Sequence, residues 1–134
     1  MLTQKKENLS SKDKCDRIVY VVKGDPIPLL GKPARFQQIT RIALEGQHPE
    51  SQGIYRGPLA LSIAFYIEAP RRNRPEHVPI TPHIRKPYLT DLIRYIEDCC
   101  TSLLFEGPYT IASIQASKHY DSVPRTEFSL IEMK

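Results

Sequence analysis

Apolar residues alternate strictly with small or polar residues along the nine positions from Leu59 to Ile67. Successive side chains of a β-strand point to opposite faces of its sheet, so this pattern predicts an amphipathic strand with one buried face. Such a strand is stable only beside other strands and against a layer that covers its apolar side. The alternation therefore restricts the chain to folds built around a sheet.

Two segments predict helices that could supply the covering layer. Apolar residues recur at intervals of three and four from Leu89 to Leu104, and Gly107-Pro108 follows as a stop signal. A shorter helix is predicted further upstream, with Gly46 as its C-terminal cap. Its apolar face is assigned to Phe36, Ile39, Ile42 and Ala43.

Three further strands complete the predicted fold. Residues 17–23 form a β-branched run that predicts a strand buried on both faces. Residues 111–120 and 126–133 predict two more strands, joined through residues 121–124 as a hairpin. The order indicates a single α+β domain over residues 17–134, with two helices packed on a mainly antiparallel or mixed sheet. Residues 1–16 are polar and lack a hydrophobic period, so they predict a disordered arm.

The positive charge of the chain is concentrated in one segment. Its 134 residues suit one core, and their net charge is +4. Between Arg71 and Arg94, six basic residues accompany two acidic ones, so this segment contains the entire surplus. Five prolines between Pro70 and Pro87 exclude regular structure from most of it. A long basic loop of this kind favours contact with a polyanion.

Several classes of function are disfavoured by what the sequence lacks. No apolar run approaches the roughly 20 residues of a membrane helix, and the start of the chain does not look like a secretory signal. We therefore expect a cytoplasmic protein without a membrane partner. Three cysteines, Cys15, Cys99 and Cys100, lack metal-ligand spacing and predict reduced, buried thiols. No cofactor is expected.

A series of short motifs resembles one enzyme family. The motifs are Gly24-Asp25-Pro26-Ile27-Pro28, Lys32-Pro33-Ala34-Arg35, the run from Lys86 to Arg94, Leu103-Leu104-Phe105-Glu106, Ser117-Lys118-His119-Tyr120 and Pro124-Arg125-Thr126-Glu127. Their order resembles the RusA-type Holliday-junction resolvases over residues 18–132. The resemblance implies a homodimer that binds four-way DNA junctions and a Mg²⁺-dependent endonuclease activity, with aspartates at the start of a helix and just beyond it as metal ligands.

This sequence departs from the family pattern at the metal ligands. The two helix aspartates are matched by Tyr88 and Thr90, and the aspartate pair beyond the helix by Gly107 and Pro108. Arg94 stands at the family lysine. Neither a neutral tyrosine, a threonine nor a proline replaces a carboxylate as a Mg²⁺ ligand. The resemblance therefore implies a branched-DNA binding protein that has lost nuclease chemistry.

Two alternatives stay open from the sequence. In the first, relocated carboxylates at Asp91, Asp98 and Glu106 bind Mg²⁺ and keep the resolvase active. In the second, the same fold is a non-catalytic protein-interaction module. For the leading interpretation, Tyr88 could stack on an unpaired base. The predicted phosphate contacts are Arg71, Arg72, Arg74, Arg85, Lys86, Arg94, Lys118 and Arg125.

Overall fold

A five-stranded mixed sheet with two helices forms the protein, so the predicted α+β class is confirmed. The computed structural model describes residues 17–26, 33–68 and 80–133. The predicted arm at residues 1–16 and most of the proline-rich loop lie outside these ranges. The elements are β1 (Val19–Lys23), α1 (Pro33–Gln47), β2 (Leu59–Glu68), β3 (Thr81–Pro82), α2 (Leu89–Cys100), β4 (Ile111–Asp121) and β5 (Arg125–Glu132).

The strand order is β1-β5-β2-β4-β3, with β2 at the centre. Strand β2 pairs in parallel with β4 and antiparallel with β5, and the pairs β1–β5 and β3–β4 are antiparallel. The predicted hairpin between β4 and β5 is therefore wrong, because β2 lies between these two strands. Residues 122–124 instead carry the chain past the end of β2, where Asp121 accepts a 2.6 Å hydrogen bond from Arg125.

The alternation in β2 has the predicted consequence. Leu59, Leu61, Ile63, Phe65 and Ile67 are all buried, and the positions between them are not. The buried side chains meet Leu92 and Ile96 of α2 and Leu44 of α1 in one cluster. Both helices thus contribute to the core that covers the apolar face of the sheet.

Strand β1 is not buried on both faces, contrary to the prediction. It lies at the edge of the sheet, where Val19 and Lys23 are exposed and Tyr20 is fully buried. The side chain of Gln47 binds its free edge: the amide oxygen accepts from Val21 N and the amide nitrogen donates to Val21 O, both at 2.7 Å. A glutamine thus satisfies backbone groups that an edge strand would otherwise leave open.

Helix α1 buries a different face from the predicted one. Ile39 and Ile42 are 58% and 62% exposed, whereas Thr40 and Leu44 are buried. Thr40 can be buried because its hydroxyl donates to Phe36 O at 3.0 Å and lies 3.1 Å from the Tyr95 hydroxyl. The predicted cap at Gly46 is also wrong, since the helix continues through Gln47.

Helix α2 is shorter than the predicted range, which extended to Leu104. It ends at Cys100, and Ser102 follows with a left-handed φ of 68°. The amides of Leu103 and Leu104 then donate to Cys100 O in a tight turn. Leu104 is buried even so, which explains why the apolar period continues beyond the helix. Cys99 and Cys100 are buried free thiols, as predicted.

Candidate nucleic-acid interface

The turn that precedes α2 carries the basic residues of this region that the structure describes. Arg85 and Lys86 are exposed there, and Arg94 is exposed one turn into α2. None of the three belongs to a salt bridge within the described part of the chain. The predicted contacts Arg71, Arg72 and Arg74 lie outside the described residues. Two positive charges thus lie just before α2 and a third within it, and the exposed Asp91 adds one negative charge in the first turn of the helix.

Lys118 of β4 holds this turn in place. Its ammonium donates to the carbonyl oxygens of Arg85 at 2.5 Å and Pro87 at 2.7 Å. Its own carbonyl oxygen accepts from His83 N at 3.1 Å. One residue therefore fixes three points of the segment that leads into α2. The sequence predicted a phosphate contact for Lys118. In the structure its ammonium group donates instead to two carbonyl oxygens of the turn.

His83 anchors the same segment by packing against β4. The ring is buried and lies 4.6 Å from the ring of Tyr120, and its Nδ1 atom has no hydrogen-bond partner. Burial lowers the pKa of His83, and the nearby charges of Lys118 and Arg85 lower it further. Both effects favour the neutral form of the buried imidazole.

The first turn of α2 adds backbone donors to this basic region. Tyr88 is the N-cap residue and makes no side-chain cap hydrogen bond, although its carbonyl accepts from Asp91 N and Leu92 N. The first amides of a helix lack partners within the helix, and the helix dipole adds partial positive charge there. Such a helix start suits an anion such as phosphate. Tyr88 itself is 60% exposed.

Arg125, another predicted contact, is engaged inside the sheet. Its guanidinium lies 3.9 Å from the ring centre of Tyr66, 2.6 Å from Asp121 and 3.4 Å from Glu127. The hydrogen bond from Arg125 lowers the pKa of Asp121, and the same bond raises the pKa of Arg125. Two carboxylates thus compensate the charge of Arg125.

The structure does not bring the proposed relocated metal ligands together. No group of three or more His, Cys, Asp or Glu side chains able to hold a metal exists among residues 17–26, 33–68 and 80–133. Asp91 and Asp98 are separated by about 10 Å of helix rise, which is too far to share one ion. Glu106 lies beyond the opposite end of α2 from Asp91.

The positions that match the family ligands are also far apart. Tyr88 and Thr90 lie at the start of α2, next to the turn held by Lys118. Gly107 and Pro108 precede the start of β4. That start is about 23 Å from Lys118, measured along the strand. The convergence that the resemblance implies for these positions is absent from this fold.

Comparisons with known proteins do not assign the chain to a family. No protein-family model matches the chain, and no curated protein matches it either. No helix in the described ranges is long and apolar enough to cross a membrane.

Sequence reasoning missed Ile84, which is 89% exposed between His83 and Arg85. An apolar residue in a proline-rich stretch carries no periodic signal, so nothing in the pattern distinguished it from a core residue. The buried His83 was missed for a similar reason. Its burial depends on the pairing of β3 with β4, which places the histidine against Tyr120.

Proposed function

We propose that this protein binds branched DNA, such as a four-way junction, and does not cleave it. The supporting observation is the group formed by Arg85, Lys86 and Arg94, exposed and free of salt bridges within the described ranges, around the uncapped start of α2. Basic side chains beside free helix amides supply the phosphate contacts from which nucleic-acid affinity arises. The RusA resemblance supports DNA as the polyanion and a branched structure as its form.

The separation of the carboxylates supports the proposed lack of cleavage. Hydrolysis of a phosphodiester by bound metal needs acidic ligands that converge on one ion, and Asp91, Asp98 and Glu106 are spread along and beyond α2. Asp91 alone, with a single charge, would not hold Mg²⁺ tightly. The homodimer implied by the resemblance stays a prediction.

The test is binding to a labelled four-way junction in EDTA at several salt concentrations. We expect affinity that falls steeply as salt rises, because phosphate contacts release counterions. Replacing Arg85 and Lys86 together by glutamine should weaken binding and reduce the logarithmic salt slope by about two. Arg56→Gln, an exposed arginine at the other end of β2, is the matched control and should change neither.

Three results would overturn the proposal. Binding that shows no preference for the junction over duplex DNA would remove the branched substrate. Unchanged junction binding after charge removal at Arg85 and Lys86 would show that this basic group is not the DNA contact, and no salt-sensitive DNA binding by the unaltered protein would favour the protein-interaction module. Paired nicks with Mg²⁺ or Mn²⁺ that disappear in Asp91→Ala would support the active resolvase instead.

A further inference from the structure

Ile84 is an exposed apolar side chain on a backbone that the fold holds rigid. It is 89% exposed, more than any other large apolar residue that the structure describes. Its neighbour His83 is buried against Tyr120, and the next residue, Arg85, is bound through its carbonyl by Lys118. An isoleucine pointing into water on a floppy loop would be ordinary. Here the residues on both sides of Ile84 are bound to the fold, so its side chain is held at a defined place on the surface.

The surroundings of Ile84 fit a nucleic acid better than an apolar protein groove. Arg85 and Lys86 follow it directly, and both are exposed. Two cations beside one apolar side chain match the pattern of a DNA strand, in which an apolar gap between bases is flanked by phosphates. Apolar side chains such as Ile, Leu and Phe are known to enter base steps in this way and to unstack them in part.

We propose that Ile84 inserts between bases at the branch point, while Arg85 and Lys86 bind the flanking phosphates. This inference rests on the proposed function. In continuous duplex DNA, insertion must first break stacking between neighbouring base pairs, which costs free energy. At a branch point the stack is already interrupted, so insertion there costs less. Ile84 thereby contributes to the preference for branched DNA, whereas the basic residues bind any DNA.

The anchoring by Lys118 and His83 strengthens this effect. A side chain held in its binding position loses little conformational freedom on binding, so more of the free energy of the apolar contact contributes to affinity. Three hydrogen bonds to Lys118 fix residues 83–87. Ile80, at the other side of β3, is 56% exposed but lies before this anchored turn. It therefore provides a matched control.

The experiment compares Ile84→Ser and Ile80→Ser with the unaltered protein on a four-way junction and on duplex DNA. Ile84→Ser should weaken junction binding roughly tenfold, by the loss of one apolar side chain from the interface. Its duplex affinity and its salt slope should stay unchanged, because no charge is removed. Ile80→Ser should behave like the unaltered protein. Thermal unfolding should be unchanged in both variants, since both side chains lie largely in solvent.

A second measurement reports on insertion directly. With 2-aminopurine placed at the branch point, binding of the unaltered protein should raise the fluorescence, and Ile84→Ser should remove most of that rise. Ile84→Phe should preserve it, because a larger apolar side chain can also unstack bases. Equal junction affinity and equal fluorescence in Ile84→Ser and the unaltered protein would overturn this inference. Failure of the proposed function would look different, because the unaltered protein would itself show no salt-sensitive junction binding.

Discussion

Ser102 has the only left-handed backbone among the non-glycine residues of the described ranges. It follows the C-cap residue Thr101 of α2 with a φ of 68°, in the position where helices most often place glycine. Its amide donates to Phe105 O at 2.7 Å, which keeps the turn closed. The left-handed conformation is costly for a residue with a Cβ atom. A serine at this position therefore costs some stability.

Ser102→Gly should raise the free energy of unfolding by about 0.5–1 kcal/mol, because glycine adopts this conformation without a steric cost and only part of the gain is lost to unfolded-state entropy. Urea denaturation measures the change. The control is Ser122→Gly, at a turn residue without a positive φ, which should lower stability instead. A loss of stability in Ser102→Gly would mean that the hydroxyl makes a contact that outweighs the strain.

Among the elements, β1 depends on a side chain for its outer edge. Gln47 forms two 2.7 Å hydrogen bonds with the backbone of Val21, as a neighbouring strand would. Gln47→Ala should lower stability by about 1–2 kcal/mol, because both bonds are lost and the edge is opened. It should also promote aggregation at high concentration, since an open edge can pair with another chain.

The control for this prediction is a second glutamine of the same helix. Gln38 is exposed on α1, so Gln38→Ala should leave stability nearly unchanged or raise it slightly. Urea denaturation gives the stability of both variants, and light scattering reports the aggregation. Equal stability of Gln47→Ala and Gln38→Ala would show that water replaces the glutamine at this edge without cost.

How far the elements follow from sequence depends on whether their determinants are local. The alternation in β2 is local, and it correctly assigned every buried side chain from Leu59 to Ile67. The buried face of α1 is not determined locally, because the hydroxyl of the buried Thr40 bonds to Tyr95, which is distant in sequence. The position of β2 between β4 and β5 likewise depends on long-range pairing. The charge of Arg85 and Lys86 could be read from the chain, but their support by Lys118 required the fold.

The turn before α2 also makes stability depend on pH through His83. Its pKa is lowered in the folded state, chiefly by burial and also by Lys118 and Arg85. Below the ordinary histidine pKa of about 6.5, the unfolded chain therefore binds more protons, and stability falls as the pH decreases. The Asp121 carboxyl does not interfere between pH 7 and 5, because its pKa is lowered by Arg125 from an already acidic value.

His83→Leu should reduce the decline in stability between pH 7 and pH 5. Urea denaturation of both proteins at several pH values measures it. The variant need not be as stable as the unaltered protein at pH 7, because only the slope against pH is compared. Equal slopes in the two proteins would show that His83 accepts its proton in the folded state as easily as in the unfolded chain.

At the scale of the whole molecule, the two ends of α2 have different electrostatic surroundings. Arg85 and Lys86 precede the start of the helix, Arg94 follows inside it and Asp91 adds one carboxylate in its first turn, whereas Glu106 and Pro108 lie beyond its other end. The helix spans 12 residues, or about 18 Å. A phosphate at the start of α2 is therefore remote from any ligand beyond the end. A carboxylate introduced at one end cannot complete a metal site with one introduced at the other.

This separation predicts the outcome of restoring aspartates at the family positions. Tyr88→Asp combined with Thr90→Asp should weaken junction binding in EDTA at least tenfold, because two negative charges are placed where we propose that phosphate binds. Pro108→Asp, the control at the far end, should have little effect. Adding Pro108→Asp to the double variant should create no Mg²⁺ site that calorimetry detects in the folded protein. Mg²⁺ binding by the triple variant, with junction affinity restored by the metal, would show that residue 108 approaches the start of α2 and that a nuclease centre can be rebuilt on this fold.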